Sequence, residues 1–314
     1  LSLPLYGLGI LLLLMVALFG DERNGSQRWI EISSGVAIQP SEFMKIFLIV
    51  AIAHLLTKYQ EQVDEKNLRN DFILTGKVGL LAIIPFLFIV KQPDLGTALV
   101  LIGIVAVMLL VSGISWRILF LFLLSGIGLI AFLVFLYFVN LDLFNKIVSP
   151  HQLNRIYGWL DPEGTAGKEG YQLMQAMLAI GSGQLFGRGL GEGIQAQGGW
   201  IPEVHTDFIF AVIGEEFGFI GASFLISIYF IFIYRLVQIA LSSNDLFATY
   251  VISGIIGMIL FQVFQNIGMT IGLVPITGLA LPFISYGGSA LISNMIAVGI
   301  VLNIAMRTKT YMFD

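Results

Sequence analysis

Glu42 and Lys45 are three residues apart in the segment QPSEFMKI, a spacing that places both side chains on one face of a helix. The residues that follow are apolar, and an ionisable side chain is costly to bury among apolar residues, most of all inside a membrane. Each such side chain therefore indicates a pair or a function. The spacing favours a structural ion pair that joins helices. The alternative is that Lys45 binds an anionic ligand.

A second charged group lies in KQPDLGTA, where Pro93 and Gly96 break the helical pattern around Lys91 and Asp94. Asp94 could face an aqueous boundary and contact a ligand. It could instead cap the next helix by accepting from the amides near Thr97, a common use of aspartate. The sequence leaves both interpretations open.

A third group is found in HTDFIFAVIGEEFGFIG. Asp207 stands at the start of an apolar stretch, where a carboxylate suits the helix dipole. Glu215 and Glu216 point to different faces of that helix, so we expect at least one to face protein or water. The histidines (His54, His151 and His205) are scattered without an HExxH pattern, so the sequence does not indicate histidine-based zinc catalysis.

Residues 140–206 form a long polar and glycine-rich segment between apolar stretches. Glycine-rich backbone can approach a ligand closely. Within it, residues 170–180 predict a short amphipathic helix. This helix could lie in the membrane interface and guide a lipid-linked substrate, or it could simply pack over the rest of the protein.

The composition identifies the protein class that must position these residues. Of 314 residues, 57% are hydrophobic and 11% charged, and the mean hydropathy is +0.90, which indicates an integral membrane protein. The absence of cysteine excludes disulfides, thiolate nucleophiles and zinc–thiolate sites. A net charge of −4 and a pI of about 5.4 argue against nucleic acid as a partner.

Eight apolar stretches are long enough to cross the membrane as helices. They are residues 3–20, 39–57, 72–90, 96–113, 117–139, 207–238, 247–274 and 289–306. Because they are continuously apolar rather than alternating, they predict an all-α polytopic protein and exclude a β-barrel. We expect one membrane domain over 1–314, with 140–206 as a large extracytoplasmic loop.

The distribution of Lys and Arg in short loops predicts the orientation. One side carries Lys58, Lys66, Arg69, Arg117, Arg235, Arg307 and Lys309, and the other carries only Arg23, Arg28 and Lys91. Both ends of this chain are therefore expected in the cytoplasm. The last loop of the opposite side, GLVPITGLALPFISYGGSA, is apolar but broken by Pro and Gly. Such backbone needs protein or a water-filled cavity around it, so we expect a cavity on the outer side.

These segments together resemble the SEDS family of bacterial cell-wall polymerases, which includes RodA, FtsW and SpoVE. The matching motifs are QRWI (27–30), QPSEFMK (39–45), QPDLGTA (92–98), WLDPE (159–163), GYQLMQA (170–176), AIGSGQLFGRGLG (179–191), PEVHTDFIFAVIGEEFGFIGA (202–222) and PFISYGGSA (282–290). GISWR (113–117) and residues 266–282 look more similar to the RodA branch. The family has ten transmembrane helices, and the resemblance begins at its third, so we expect the first two to be missing here.

The resemblance implies a peptidoglycan glycosyltransferase of the bacterial cytoplasmic membrane, which polymerises lipid II into β-1,4 glycan strands for cell-shape or elongation-type wall synthesis. It implies a class B penicillin-binding protein, a transpeptidase, as the partner. The family's essential aspartate in the long outer loop falls on Asp161. This role agrees with the chemistry, because transfer from a diphosphate needs one base and positive charge at the leaving group.

The candidate substrate-binding residues are Arg28, Lys45, Lys91, Asp94, Arg155 and His205, and Mg²⁺ or Mn²⁺ is a candidate additional ligand of the diphosphate. A glycosidase would pair Asp161 with Glu163 or Glu169, but hydrolysis would waste the lipid intermediate. A lipid II flippase remains the alternative function, although the halves of the chain show no inverted repeat of the kind that many transporters carry. A scaffold that positions the transpeptidase would be an added role.

Overall fold

The computed structural model describes residues 2–23, 26–33, 36–62, 67–148, 150–165 and 170–310. Nearly all regular structure in these residues is helical. The helices are α1 (Ser2–Phe19), α2 (Pro40–Gln62), α3 (Leu68–Lys91), α4 (Leu95–Val111), α5 (Trp116–Val139), α6 (Leu141–Ile147), α7 (Pro150–Leu160), α8 (Gly170–Gly183), α9 (Ile194–Gln197), α10 (Ile209–Ser242), α11 (Leu246–Thr270) and α12 (Gly288–Thr310). The strands are β1 (Asp21–Arg23), β2 (Ser26–Ser33) and β3 (Val36–Ile38).

The predicted membrane spans coincide with eight helices of the described residues. Seven of them, α1, α2, α3, α5, α10, α11 and α12, are long and apolar enough to cross a membrane. The eighth, α4, is apolar but has 17 residues, and at 1.5 Å per residue it is at the short limit for a crossing. The all-α polytopic fold class is confirmed.

A small antiparallel sheet with the order β1-β2-β3 joins α1 to α2. The pairs Asp21↔Trp29 and Ile30↔Ile38 set its register. The sequence analysis did not predict it, because three short strands give too little alternation to be recognised between two long apolar stretches. Strand β2 carries Arg28, one of the candidate substrate-binding residues.

Helices α2 and α11 form the centre of the bundle. In each, 67% of the most apolar window is buried, compared with 6% in α5. Small residues allow this close packing. A Cβ on Gly254 of α11 would lie 2.6 Å from Cγ2 of Ile49 on α2 and 2.9 Å from Sδ of Met108 on α4. These contacts fix α11 against both neighbours.

Helix α10 is broken at Gly218, where φ is 64° and ψ is −163°. The loop after α8 inserts at this break. The amide of Arg188 donates to the carbonyl of Glu215 at 3.0 Å, and the amide of Phe219 donates to the carbonyl of Gln184 at 2.8 Å. The backbone groups freed by the break are thus paired with the loop rather than left unsatisfied.

Both glutamates of the GEEFG segment are buried in protein. The Glu215 carboxylate is fully buried and accepts from the amides of Gln195 and Ala196 at 2.9 and 3.0 Å. Glu216 is 6% exposed. The expectation that at least one of them faces protein or water is met by both, and Glu215 ties α9 to α10.

The described residues of the long loop between α5 and α10 contain four helices, α6 to α9. The short helix predicted near residues 170–180 is present as α8. Its Leu173, Ala176 and Ala179 are buried in a cluster with Phe208 and Met269, so α8 packs over the bundle, as the second of the two interpretations proposed.

We expect Gly218→Ala to destabilise the protein by at least about 1–2 kcal/mol, the cost of a left-handed conformation for an L-residue. The added Cβ would also collide with the backbone of Leu185 and Gly187. The thermal unfolding midpoint in detergent measures this effect. Gly128→Ala on α5 is the control, because nothing lies within 4 Å of its Cβ position, and equal midpoints for the two variants would contradict the prediction.

Candidate active site

A cavity of about 880 Å³ lies where β2, the start of α4, α7 and the segment before α10 meet the 271–287 segment between α11 and α12. It contains the elements expected to roof a cavity, namely part of the long loop and the Pro- and Gly-rich segment. Its polar lining consists of Arg28, Gln39, Glu42, Asp94, Thr97, Arg155, Gln172, Glu203, Thr206, Asp207 and Tyr286.

Asp94 is the centre of the hydrogen bonds on one wall. Its Oδ1 accepts from the Thr97 amide at 3.2 Å, which caps α4, and its Oδ2 accepts from Thr97 Oγ1 at 2.9 Å and Gln39 Nε2 at 3.0 Å. Nη1 of Arg28 lies 3.8 Å from Asp94 Oδ1. Asp94 therefore caps α4, and it lines the cavity although it is only 2% exposed. Its contact with a ligand stays a prediction.

Arg28 is held in place by backbone carbonyls. Its Nε donates to the Gln92 carbonyl at 3.1 Å, and its Nη2 donates to the Pro93 carbonyl. The guanidinium therefore sits at the turn between α3 and α4 with one edge towards the cavity. A planar cation fixed in this way is suited to phosphate oxygens.

Glu42 and Lys45 form an ion pair on α2 beside the cavity. Lys45 Nζ lies 2.7 Å from Glu42 Oε2, and Ser293 Oγ donates to the same oxygen at 3.2 Å. Lys45 is 0% exposed, and only Glu42 lines the cavity. The Ser293 bond to Glu42 joins α2 to α12, and the pairing compensates the cost of burying the two charges.

Helix α7 supplies a second arginine. Arg155 Nη1 donates to the Thr277 carbonyl at 3.2 Å and to the Ile276 carbonyl at 3.5 Å, and Trp159 Nε1 donates to the Gly272 carbonyl at 2.8 Å. Burial and the nearby Arg28 lower the pKa of Arg155. Arg155 thus both holds the 271–287 segment and presents positive charge to the cavity.

Asp207 lies in the turn before α10 and lines the same cavity as Arg28, Arg155 and Glu203, whose charges act on its carboxylate. Burial, followed by the charge of Glu203, raises its pKa to about 6, although Arg155 and Arg28 act in the opposite direction. Gly278 approaches closely: a Cβ there would lie 3.1 Å from Asp207 Oδ2. A carboxylate with a pKa near the working pH is suited to accept a proton.

Four of the predicted residues are not among those that line the cavity: Lys45, described above, and Asp161, Lys91 and His205. Asp161 is exposed after α7, and its Oδ1 accepts from the Gly164 amide at 2.9 Å. Lys91 is exposed at the end of α3. His205 is exposed and contributes its carbonyl, which accepts from the Tyr286 amide at 2.9 Å.

The glycosidase alternative pairs Asp161 with Glu163 or Glu169. Glu163 is exposed, and Glu169 lies outside the described residues. Lys66, one of the residues on which the predicted orientation rests, also lies outside the described residues.

The sequence analysis did not select Asp207. An aspartate before an apolar helix has a sufficient structural explanation in the helix dipole. The structure starts α10 at Ile209, which leaves Asp207 outside the helix. The crowding of Pro202, Glu203, Thr206 and Asp207 into one polar turn before a membrane span was the signal that could have identified it.

No three His, Asp or Glu side chains in the described part of the chain form a group that could hold a metal ion. The candidate cation would therefore depend on ligands from a bound diphosphate.

Comparisons with known proteins agree with the motifs. The FtsW/RodA/SpoVE family model, described as a cell cycle protein, matches residues 1–310. The chain is 39% identical over 302 residues to stage V sporulation protein E of Bacillus subtilis, covering 96% of this chain and 77% of that protein. It is 37% identical over 308 residues to the peptidoglycan glycosyltransferase MrdB of Escherichia coli, covering 97% and 78%.

A solved structure has the same fold. That structure concerns the coordination of polymerization and crosslinking by a peptidoglycan synthase complex. One of its chains matches with a TM-score of 0.76 and 31% identity, covering 98% of this chain and 81% of that one.

We expect Asp94→Ala to lower the free energy of unfolding by roughly 2–4 kcal/mol, because it removes a helix cap and leaves the buried Thr97 amide and hydroxyl without this acceptor. It also removes one of the two bonds that the Gln39 amide group donates. Asp94→Asn keeps an acceptor oxygen and should cost less. Thermal unfolding in detergent compares the two. Lys91→Ala, an exposed neighbour, is the control, and an Asp94→Ala midpoint equal to that control would contradict the structural role.

Proposed function

Because this chain belongs to the FtsW/RodA/SpoVE family, we propose that it is a peptidoglycan glycosyltransferase that polymerises lipid II at the outer face of the cytoplasmic membrane. Its relative MrdB is named for this activity. The observation that carries the proposal is the position of the Asp207 carboxylate in a cavity of about 880 Å³ with Arg28 and Arg155. This arrangement provides one base and two cations, which is what the transfer requires.

Asp207, Arg28 and Arg155 can account for the proton and the leaving group in a glycosyl transfer. A hydroxyl of the acceptor sugar attacks the anomeric carbon of the donor, and the bond from that carbon to the diphosphate oxygen breaks. Asp207 accepts the hydroxyl proton. The departing polyprenyl diphosphate takes the bonding electron pair, and Arg28 and Arg155 stabilise its charge. Because diphosphate is already a good leaving group, no carboxylic acid has to protonate it.

The role of base is proposed for Asp207 rather than for Asp161, to which the resemblance had assigned it. Asp161 is exposed and lies outside the cavity lining. Water around an exposed carboxylate competes for its hydrogen bonds and weakens its interaction with a reacting group. Asp207 is held in a less hydrated place, next to the cations.

The two arginines are not equivalent in this proposal. Arg28 already donates through Nε and Nη2 to carbonyls, so it is a rigid contact. In the described residues, Arg155 uses Nη1 for the Ile276 and Thr277 carbonyls, and its remaining donors are available to a phosphate. We assign the diphosphate to these two residues rather than to Lys45, whose charge Glu42 compensates.

The transpeptidase partner is also part of the proposal. The matched solved structure describes a peptidoglycan synthase complex that coordinates polymerization and crosslinking. A class B penicillin-binding protein would supply the crosslinking step. The elongation role rests on the motifs GISWR and 266–282 alone, because the sporulation protein and MrdB are similar to this chain at nearly equal identity.

We expect Asp207→Asn to reduce polymer formation from purified lipid II by roughly 10²–10⁴-fold, the usual contribution of a general base, while Asp161→Asn retains most activity. At lipid II concentrations well below KM, the wild-type rate should rise with pH through about 6, because the carboxylate of the free enzyme must be ionised and its pKa is raised to about 6. Glycan gels and initial rates at several pH values measure both effects.

The stability of the variant serves as the control. Since the folded pKa of Asp207 lies above its ordinary value of 3.8, its ionisation costs folding free energy as pH rises through that window. Asp207→Asn should therefore keep or raise the unfolding midpoint at neutral pH. Polymer made by Asp207→Asn but not by Asp161→Asn would return the role to Asp161, and labelled lipid II that crosses vesicles without chain growth would favour the flippase.

The orientation with both ends cytoplasmic is likewise proposed, on the distribution of Lys and Arg. The chain has no cysteine, so single cysteines report one position each. A membrane-impermeant maleimide should label Glu163→Cys in intact cells, and Lys58→Cys only after permeabilisation. The reverse pattern would invert the topology.

A further inference from the structure

Asn266 lies on α11, the helix at the centre of the bundle, and its side chain is 0% exposed. Its Nδ2 donates to the carbonyl of Asp207 at 2.8 Å and to the carbonyl of Leu279 at 2.7 Å. Both protons of one amide group are thus used on two separate segments. One segment carries the proposed base, and the other is the 271–287 segment, which also lines the cavity.

The two segments meet at the carboxylate itself. Gly278, next to Leu279, has φ of +74°, and a Cβ at this position would lie 3.1 Å from Asp207 Oδ2. The amide of Asp207 is fixed as well, since it donates to the Glu203 carbonyl at 3.1 Å. With its amide and its carbonyl both held, the Asp207 main chain has little freedom, and the Asn266 bond is the part of this restraint that comes from the core.

The orientation of the Asn266 amide follows from its partners. Turning the side chain over would direct its oxygen at two carbonyl oxygens, which repel it. The observed orientation leaves Oδ1 as a buried atom without a partner in the described residues. A buried polar atom without a hydrogen bond is unfavourable, so the two donated bonds are retained in spite of this cost.

We propose that Asn266 is a positioning residue that holds the Asp207 segment and the 271–287 segment at a fixed separation, and so sets the place of the Asp207 carboxylate in the cavity. This proposal rests on the function proposed above for Asp207. Asn266 does not line the cavity and acts only through the main chain of the two segments. A displacement of about 1 Å at a reacting group can cost roughly 10²-fold in rate.

Gln265 provides a matched control. It precedes Asn266 on α11 and is also buried, at 4% exposure, and its Nε2 donates to the Pro275 carbonyl at 3.2 Å. Gln265→Ala therefore removes a buried amide and one bond to the 271–287 segment, but no bond to Asp207. A general loosening of the bundle should affect both variants, whereas a loss of positioning should affect only Asn266→Ala.

The first measurement is independent of activity. Because the chain has no cysteine, Asp207→Cys introduces a single thiol at the site. We expect this thiol to react several-fold faster with iodoacetamide when Asn266→Ala is added, since the segment opens to water, and at an unchanged rate when Gln265→Ala is added. An unchanged rate with Asn266→Ala, or equal increases in both, would overturn the proposal.

The second measurement is the rate of polymerisation with Asp207 in place. Asn266→Ala should lower kcat by roughly 10- to 100-fold with a smaller change in KM, because Arg28 keeps its carbonyl partners Gln92 and Pro93, which lie outside both segments. The acidic limb of its pH profile should move to lower pH as Asp207 becomes hydrated, while that of Gln265→Ala stays in place. A limb that moves equally in both variants would contradict positioning.

Asn266→Ser keeps one hydroxyl donor, and it replaces Asn266→Ala in both measurements if the alanine variant does not fold. Its effects should be intermediate in size and in the same direction. If the purified wild type makes no glycan from lipid II while the thiol rates follow the expected pattern, the proposed function fails and the positioning role of Asn266 stands.

Discussion

The end of the protein that contains the cavity depends on one constraint: its backbone carbonyls outside helices need hydrogen-bond donors. The chain leaves α11 after Thr270 and enters α12 only at Gly288, and a non-helical segment survives beside a membrane only where protein or enclosed water satisfies it. Here side chains do so. Trp159, Arg155, Gln265 and Asn266 donate to carbonyls of this segment, and Tyr229 donates to the Pro282 carbonyl at 2.6 Å.

The donors come from α7, α10 and α11, so the segment can take its shape only when these helices are assembled. This explains how a site can be built from an apolar sequence. The 271–287 segment has no charged residue, but charged side chains lie against it. Arg155 donates to its carbonyls, and Gly278 allows the segment to approach Asp207. The break in α10 at Gly218 follows the same rule with a loop amide as the donor.

Most of the fold could be predicted from the sequence, because continuous apolar stretches determine membrane helices almost independently of tertiary contacts. The ion pair of Glu42 and Lys45 could also be predicted from local sequence, since helical spacing alone brings the two charges together. The site could be predicted less well. The local patterns around Asp161 and Asp207 both allow a catalytic and a structural explanation, and only the fold of distant segments places one carboxylate in the cavity and the other on the surface.

The charges around Asp207 also bear on when it would act. Burial and Glu203 raise its pKa, whereas Arg155 and Arg28 lower it, so the carboxylate is balanced between opposing effects. A diphosphate bound to the arginines would cancel part of their positive potential, and the pKa of Asp207 would rise further. The carboxylate would then hold a proton more strongly when the anionic substrate is in place. In the proposed reaction, the groups that bind the leaving group would therefore adjust the strength of the base.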